Sequence, residues 1–167
     1  LAKETASVDQ LSKGRLLFGI GAGYLMQEFE ALGVKFEERG ARTDEYIDAI
    51  RELWTSEQPE FAGQFVNYKG IQSRPLAYQK GGPPVIVGGT SKAAYRRAIQ
   101  KGQGWYGFAL NVASSQESID ALKALSESTD RSSDLGELEI SITPRVPLTD
   151  EVIKQFEDMG VSRLILL

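Results

Sequence analysis

Five short apolar runs, each followed by a segment of helical period or by the end of the sequence, constrain this chain more than any other feature. The runs cover residues 15–20, 84–87, 104–108, 138–143 and 161–167, and glycines close the first two, at Gly19 with Gly21 and at Gly88 with Gly89. Continuous apolarity over so few residues fits strands buried on both faces. Between the runs, Tyr46, Ile47, Ile50, Leu53 and Trp54 recur along one helical face within residues 41–55, and Ala94, Tyr95, Ala98 and Ile99 do so before Gly102. Ser114 with Glu117 has capping-box spacing ahead of Ile119, Leu122 and Leu125. Thr149 is placed to cap a helix whose inner face is Val152, Ile153, Phe156 and Met159 and which Gly160 ends. A first helix is read over residues 1–13, stopping at Gly14. Its start inside an element, without an initiator methionine, is expected of a piece of a longer chain.

Strand and helix in alternation predict an α/β fold of right-handed βαβ units on a parallel sheet. Two architectures satisfy that rhythm: about five units of a (β/α)8 barrel, which in full takes roughly 250 residues, and a complete doubly wound sheet. Residues 59–80 break the rhythm. With Phe61, Phe65, Val66 and Tyr68 around Gly63 and Gly70, they read as an inserted hairpin of the kind that sits on a rim and shapes a pocket.

The chain contains no Cys and no His, which removes disulfides, thiolate metal sites, Cys nucleophiles and the commonest general base. No metal site is expected. Its 19 Lys and Arg against 23 Asp and Glu leave a net charge of −4, without the basic clustering of a nucleic-acid surface. The longest apolar stretch, residues 16–26, is interrupted by glycines and falls short of the roughly 20 residues that span a bilayer. No membrane segment or secretory leader is read, and a cytoplasmic protein is expected.

Chemistry concentrates in the turns after the strands. Gly19-Ile20-Gly21-Ala22-Gly23 lets the backbone approach a ligand closely, or lets a strand end pack tightly. A dinucleotide fingerprint would need a second strand ending in an acid about 20 residues on, and a helical segment stands there instead. Gly88-Gly89-Thr90-Ser91-Lys92 places free amides, two hydroxyls and a cation at a helix start, which favours a phosphate over a plain N-cap. Both turns follow strands and therefore belong to the carboxyl edge of a parallel sheet, where such folds keep their sites. Trp105, in Gly104-Trp105-Tyr106-Gly107, reads either as a wall for a planar ring or as core. The run Glu28, Glu30, Glu37 and Glu38 with Arg39 and Arg42 reads as a solvated face with loose ion pairs.

Taken together, the blocks Leu11 to Tyr24, Glu28-Phe29, Leu32-Gly33-Val34, Phe36-Glu37-Glu38-Arg39-Gly40, Pro83-Pro84-Val85-Ile86-Val87-Gly88-Gly89 and Gly104-Trp105 resemble the bacterial-luciferase-like flavin and deazaflavin oxidoreductases, in the same order. Within that family the resemblance is strongest to the branch using the deazaflavin F-420. The resemblance covers essentially the whole chain. It implies a (β/α)8 barrel, here a single domain of residues 1–167 running from the third helix through strand eight, with residues 59–80 as an insertion. It implies a homodimer acting on a small organic substrate, by reduction or oxygenation, with FMN or F-420 as cofactor. It implies cofactor contacts from Gly21, Ala22, Gly23 and Tyr24, with the phosphate at Gly88, Gly89, Thr90 and Ser91 and Trp105 beside them.

Two departures stand out: Tyr24 and Gln103 occupy positions where relatives commonly carry Trp and Asp. Catalytic acids of the family come from early strands that this stretch lacks, so no residue here is assigned a catalytic role. The stretch alone is expected to be inactive and to fold poorly. Two further readings stay open, a non-catalytic flavin-binding or assembly module on the same fold and a phosphosugar enzyme on the same barrel.

Overall fold

The structure is a computed structural model that describes residues 1–166. In chain order its elements are α1 (Ala2–Ser12), β1 (Phe18–Ile20), α2 (Met26–Ala31), a 3-10 turn (Phe36–Glu38), α3 (Arg39–Thr55), β2 (Phe61–Ala62), β3 (Asn67–Tyr68), β4 (Val85–Gly88), α4 (Lys92–Lys101), β5 (Gly104–Leu110), α5 (Val112–Ser126), a 3-10 turn (Ser133–Leu135), β6 (Glu139–Pro144), α6 (Asp150–Asp158) and β7 (Arg163–Leu164). Five strands form one sheet in the order β1-β4-β5-β6-β7. The pairs β4 with β5, β5 with β6 and β6 with β7 are parallel. A doubly wound sheet reverses direction at a switch point, whereas this order follows the chain without reversal. The sheet is therefore an arc of a (β/α)8 barrel, and the doubly wound alternative is excluded.

The chain divides into two compact units. The first comprises Leu1–Phe18 and Ala22–Pro84, and the second comprises Gly19–Gly21 and the chain from Val85 onward. In the first, Trp54 is buried with its ring edge-on to Phe18 at 5.4 Å, and its Nε1 donates to the Ala2 carbonyl and to Thr5 Oγ1. Asp9 of α1 is fully buried. Its carboxylate accepts the backbone N–H groups of Tyr78 and Gln79, both at 2.9 Å, and Gln79 Nε2 at 2.8 Å, so a loop 70 residues away closes over the helix. Helix α1 ends at Lys13, which adopts φ 54°, one residue before the glycine expected to stop it.

Residues 59–80 do contain a hairpin, with Phe61 opposite Tyr68 and Ala62 opposite Asn67. Its polar anchors run to α3. The Glu45 carboxylate accepts the amides of Gln64, Phe65 and Val66 at 2.8, 2.7 and 2.6 Å, and Tyr68 donates its hydroxyl to the Ala49 carbonyl at 2.6 Å. The Arg42 guanidinium lies 4.3 Å from the centre of the Phe65 ring. The hairpin is thus strapped along a helix.

In the second unit, α4 buries Ala94, Tyr95, Ala98 and Ile99, and α5 buries Ile119 and Leu122, the faces read from their periodicity. The capping box of α5 differs from the expected one. Asn111 is the N-cap and Ser114 is its reciprocal partner, because the helix begins three residues before the apolar spacing becomes visible. Thr149 caps α6 as read, accepting from the Val152 amide. Arg131 stops α4 from outside, donating Nη1 to the carbonyls of Ala98, Ile99 and Gly102, where the helix dipole is negative. The last strand is shorter than expected, and the end of that reading, Leu167, lies outside the described residues.

Candidate functional site

The carboxyl end of β4 turns into α4 through Gly88, Gly89, Thr90 and Ser91, all in the second unit. Gly89 adopts φ 118°, a conformation that L side chains rarely take, and a Cβ there would come within 3.2 Å of Ala94 Cβ. Both polar groups of Gly89 are held. Its carbonyl accepts Trp105 Nε1 at 2.7 Å, and its amide points to the Tyr106 carbonyl at 3.4 Å. The Ser91 hydroxyl accepts the Ala94 amide at 3.2 Å, so Ser91 is an N-cap and its own proton is left to donate. Thr90 and Ser91 are exposed.

Electrostatics separates this helix start from that of α6 in the same unit. Helix α6 carries Asp150 and Glu151 in its first turn, which offset the positive end of its dipole. Helix α4 has no acid there and begins instead with the exposed Lys92. A cation on a positive helix end is unfavourable unless an anion shares the site. Amides of the first turn, two hydroxyls, Lys92 and a glycine that clears the approach make a donor set suited to a phosphate group.

Trp105 offers no face to a ligand. It is fully buried, its ring edge-on to Tyr95 at 5.7 Å, and it acts on the turn from beneath through Gly89. Its burial against Tyr95 of α4 is what the core reading describes. Gly21 also lies in the second unit, at the end of β1, with nothing within 4 Å of where its Cβ would be. Ala22, Gly23 and Tyr24 belong to the first unit. There Gly23 has φ 82° and packs against the Phe29 ring, and Tyr24 is 89% exposed. Gln103 Oε1 accepts the Val85 amide at 2.9 Å at the start of β4.

The opposite side of the sheet from Trp105 carries polar groups that sequence reasoning missed. Tyr106 and Thr143 share a 2.7 Å hydrogen bond between their hydroxyls, and Arg163 donates to Ser141 Oγ and Glu139. The register Tyr106 with Ser141 and Ser141 with Arg163 puts them on one face. The alternation from Trp105 to Tyr106 carried that signal, but only strand pairing shows which partner each residue meets. A cavity of about 730 Å³, lined in part by Ile99, Ile119, Leu122, Leu138 and Met159, lies on the helix side near the start of β6, away from the glycine turn.

In the first unit, one member of the acidic run, Glu38, is ion-paired. Glu38 meets Arg42 at 2.8 Å and Lys35 at 3.6 Å, and the hydrogen bond from Arg42 holds the Glu38 carboxyl below its ordinary pKa. Partial burial pushes the Glu45 carboxyl up, but the three hairpin amides outweigh it and leave the pKa lowered.

Comparison with known proteins agrees with this architecture. Residues 1–154 match the family model described as luciferase-like monooxygenase. An uncharacterized protein of Mycobacterium tuberculosis is 31% identical over 165 residues, 99% of this chain and 55% of its own. The FMNH2-dependent dimethylsulfone monooxygenase of Pseudomonas putida is 32% identical over 108 residues, 63% of this chain and 30% of that one. The chain therefore spans little more than half of the mycobacterial relative. Among solved structures, an F420-dependent secondary alcohol dehydrogenase in complex with an F420-acetone adduct superposes with a TM-score of 0.76 at 15% identity, covering 99% of this chain and 67% of that one. At that identity the likeness is one of fold.

Proposed function

This chain belongs to the luciferase-like monooxygenase family, and from that premise we propose that it is the carboxyl-side part of an oxidoreductase that uses reduced FMN or the deazaflavin F420 on a small organic substrate. The observation that carries the reading is the turn at Gly88 to Ser91. It is a donor-rich, acid-free helix start on the carboxyl edge of a barrel arc, held from below by Trp105. Relatives support the choice of cofactors, since one is named for FMNH2 and a structural neighbour for F420.

In this proposal the phosphate of the cofactor is held by the amides after Gly89, the hydroxyls of Thr90 and Ser91, and Lys92. Gly21, at the end of β1 in the same unit, borders the cofactor, and Trp105 fixes the geometry without touching it. The cofactor supplies the redox chemistry when bound, as a hydride carrier or, for reduced FMN, also by reacting with oxygen. The chain's own residues bind and orient it, and none is assigned a proton-transfer role. Residues 59–80 are an insertion within the barrel domain in the same proposal, and the whole protein is a cytoplasmic homodimer.

Absorbance and fluorescence titration of the full-length protein with FMN and with F420 tests this. Tight binding of F420 alone assigns hydride transfer, and binding of FMN alone directs attention to oxygen-dependent chemistry. Binding of neither refutes the proposal and leaves an assembly module on the same fold.

A further inference from the structure

Strand β5 ends in a distortion. Between Gly107 and Leu110 its register with β6 shifts, and Ala109 adopts φ 55°, a left-handed conformation that a residue with a Cβ takes at a cost. Pairing resumes where Leu110 meets Pro144, and the Arg145 amide donates to the Leu110 carbonyl at 2.8 Å. The bulge is tightly built, since a Cβ on Gly107 would fall 2.5 Å from Leu110 Cδ1 and 2.7 Å from the Trp105 ring. Its visible product is Phe108. Whereas Trp105 is fully buried, Phe108 is 60% exposed at the carboxyl edge of the sheet.

Phe108 does not stand alone. Its ring lies 6.4 Å from that of Tyr106, tilted by 52°, and the Tyr106 hydroxyl is fixed by Thr143. Tyr106 is in register with Gly88, and a Cβ on Gly88 would lie 3.7 Å from Tyr106 Cδ1. The aromatic pair and the donor-rich turn are therefore neighbours within one unit. Bulges and left-handed non-glycine residues concentrate where a fold re-aims a side chain toward a ligand.

We propose that Phe108, backed by Tyr106 and Thr143, is the wall against which the flat ring of the bound cofactor packs, and so a specificity-determining residue. The inference rests on the reading above for the class of ligand, a phosphate-bearing planar heterocycle. Phe108 contributes an uncharged aromatic face, suited to a ring system and indifferent to a free phosphate. The Tyr106 hydroxyl, with Thr143 occupying one of its hydrogen-bonding positions, keeps another for a ring carbonyl or nitrogen.

The test is FMN and F420 binding to full-length wild type and to Phe108→Ala, Phe108→Leu and Phe108→Tyr, with inorganic phosphate as a competing probe. The expected result is about a tenfold loss of affinity for the cofactor in Phe108→Ala and Phe108→Leu, recovery in Phe108→Tyr, and an unchanged inhibition constant for phosphate. Should Phe108→Ala fail to fold, the leucine variant carries the same comparison. Wild-type binding with variants within twofold of it overturns this proposal alone, as does an equal loss for phosphate and cofactor. Wild type that binds neither cofactor overturns it together with the functional reading.

Discussion

Replacing Gly89 by alanine tests whether the turn requires glycine at that position, and Gly88 supplies the internal control. At Gly89 the backbone has φ 118°, and a new Cβ would stand 3.2 Å from Ala94 Cβ, closer than ordinary contact. Holding a non-glycine residue in so sparsely populated a region costs about 1–3 kcal/mol. Crowding against Ala94, which the first turn of α4 keeps in place, adds roughly 1 kcal/mol. At Gly88 the nearest atoms to a new Cβ are the Ile20 carbonyl oxygen at 3.5 Å and Tyr106 Cδ1 at 3.7 Å, both ordinary contacts, and its φ is unremarkable for an L residue. Gly88→Ala should therefore stay within about 0.5 kcal/mol of wild type. Urea unfolding followed by tryptophan fluorescence reads the difference. With a slope of about 1–3 kcal/mol per molar, the midpoint of Gly89→Ala should fall by about 1–2 M, while that of Gly88→Ala barely moves. Equal midpoints for the two variants would refute the assignment of strain to Gly89.

Asp9→Ala leaves the part-buried Tyr78 and Gln79 amides without their acceptor, removes one of the two acceptors of Gln79 Nε2, which also donates to the Leu16 carbonyl, and empties a fully buried side-chain position. A loss of about 3–5 kcal/mol is expected in the same unfolding assay, and a loss under about 1 kcal/mol would contradict the burial argument. The Glu45 pKa is lower in the folded than in the unfolded chain. Between those two values the unfolded chain binds more protons, so the stabilisation from Glu45 is complete above the unfolded pKa and fades as pH falls through the folded one. Stability measured from pH 7 to pH 3 should thus fall less steeply in Glu45→Gln, and amide exchange at residues 64–66 should be faster in that variant even at neutral pH. Ala109→Gly removes the left-handed penalty without touching the bulge and should stabilise by up to about 1 kcal/mol, seen as a rise in Tm. A fall in Tm would mean that the alanine methyl packs rather than strains.

The order of elements was legible before any coordinates because strand and helix announce themselves over a few neighbouring residues. Apolar runs gave the five strands, 3.6-residue spacing gave the faces of α4, α5 and α6, and the hydroxyls of Ser91 and Thr149 marked two helix starts. Even local reading failed where a polar residue competed, as when Asn111 began α5 ahead of the expected Ser114. The architecture was another matter. An alternating rhythm suits an open sheet and a barrel equally; the family resemblance implied the barrel, and the pairing β1-β4-β5-β6-β7 supplies the physical reason. The same holds for the site. Whether Trp105 faces ligand or core depends on strand register, as does the meeting of Tyr106 with Thr143 across 37 residues. Nothing in the local sequence marks Asp9 and Glu45 as anchors, because the amides they accept come from residues about 70 and about 20 positions away, respectively. Local periodicity records what each segment needs to bury, whereas partners brought together across the chain depend on three-dimensional closure, which spacing along a sequence does not encode.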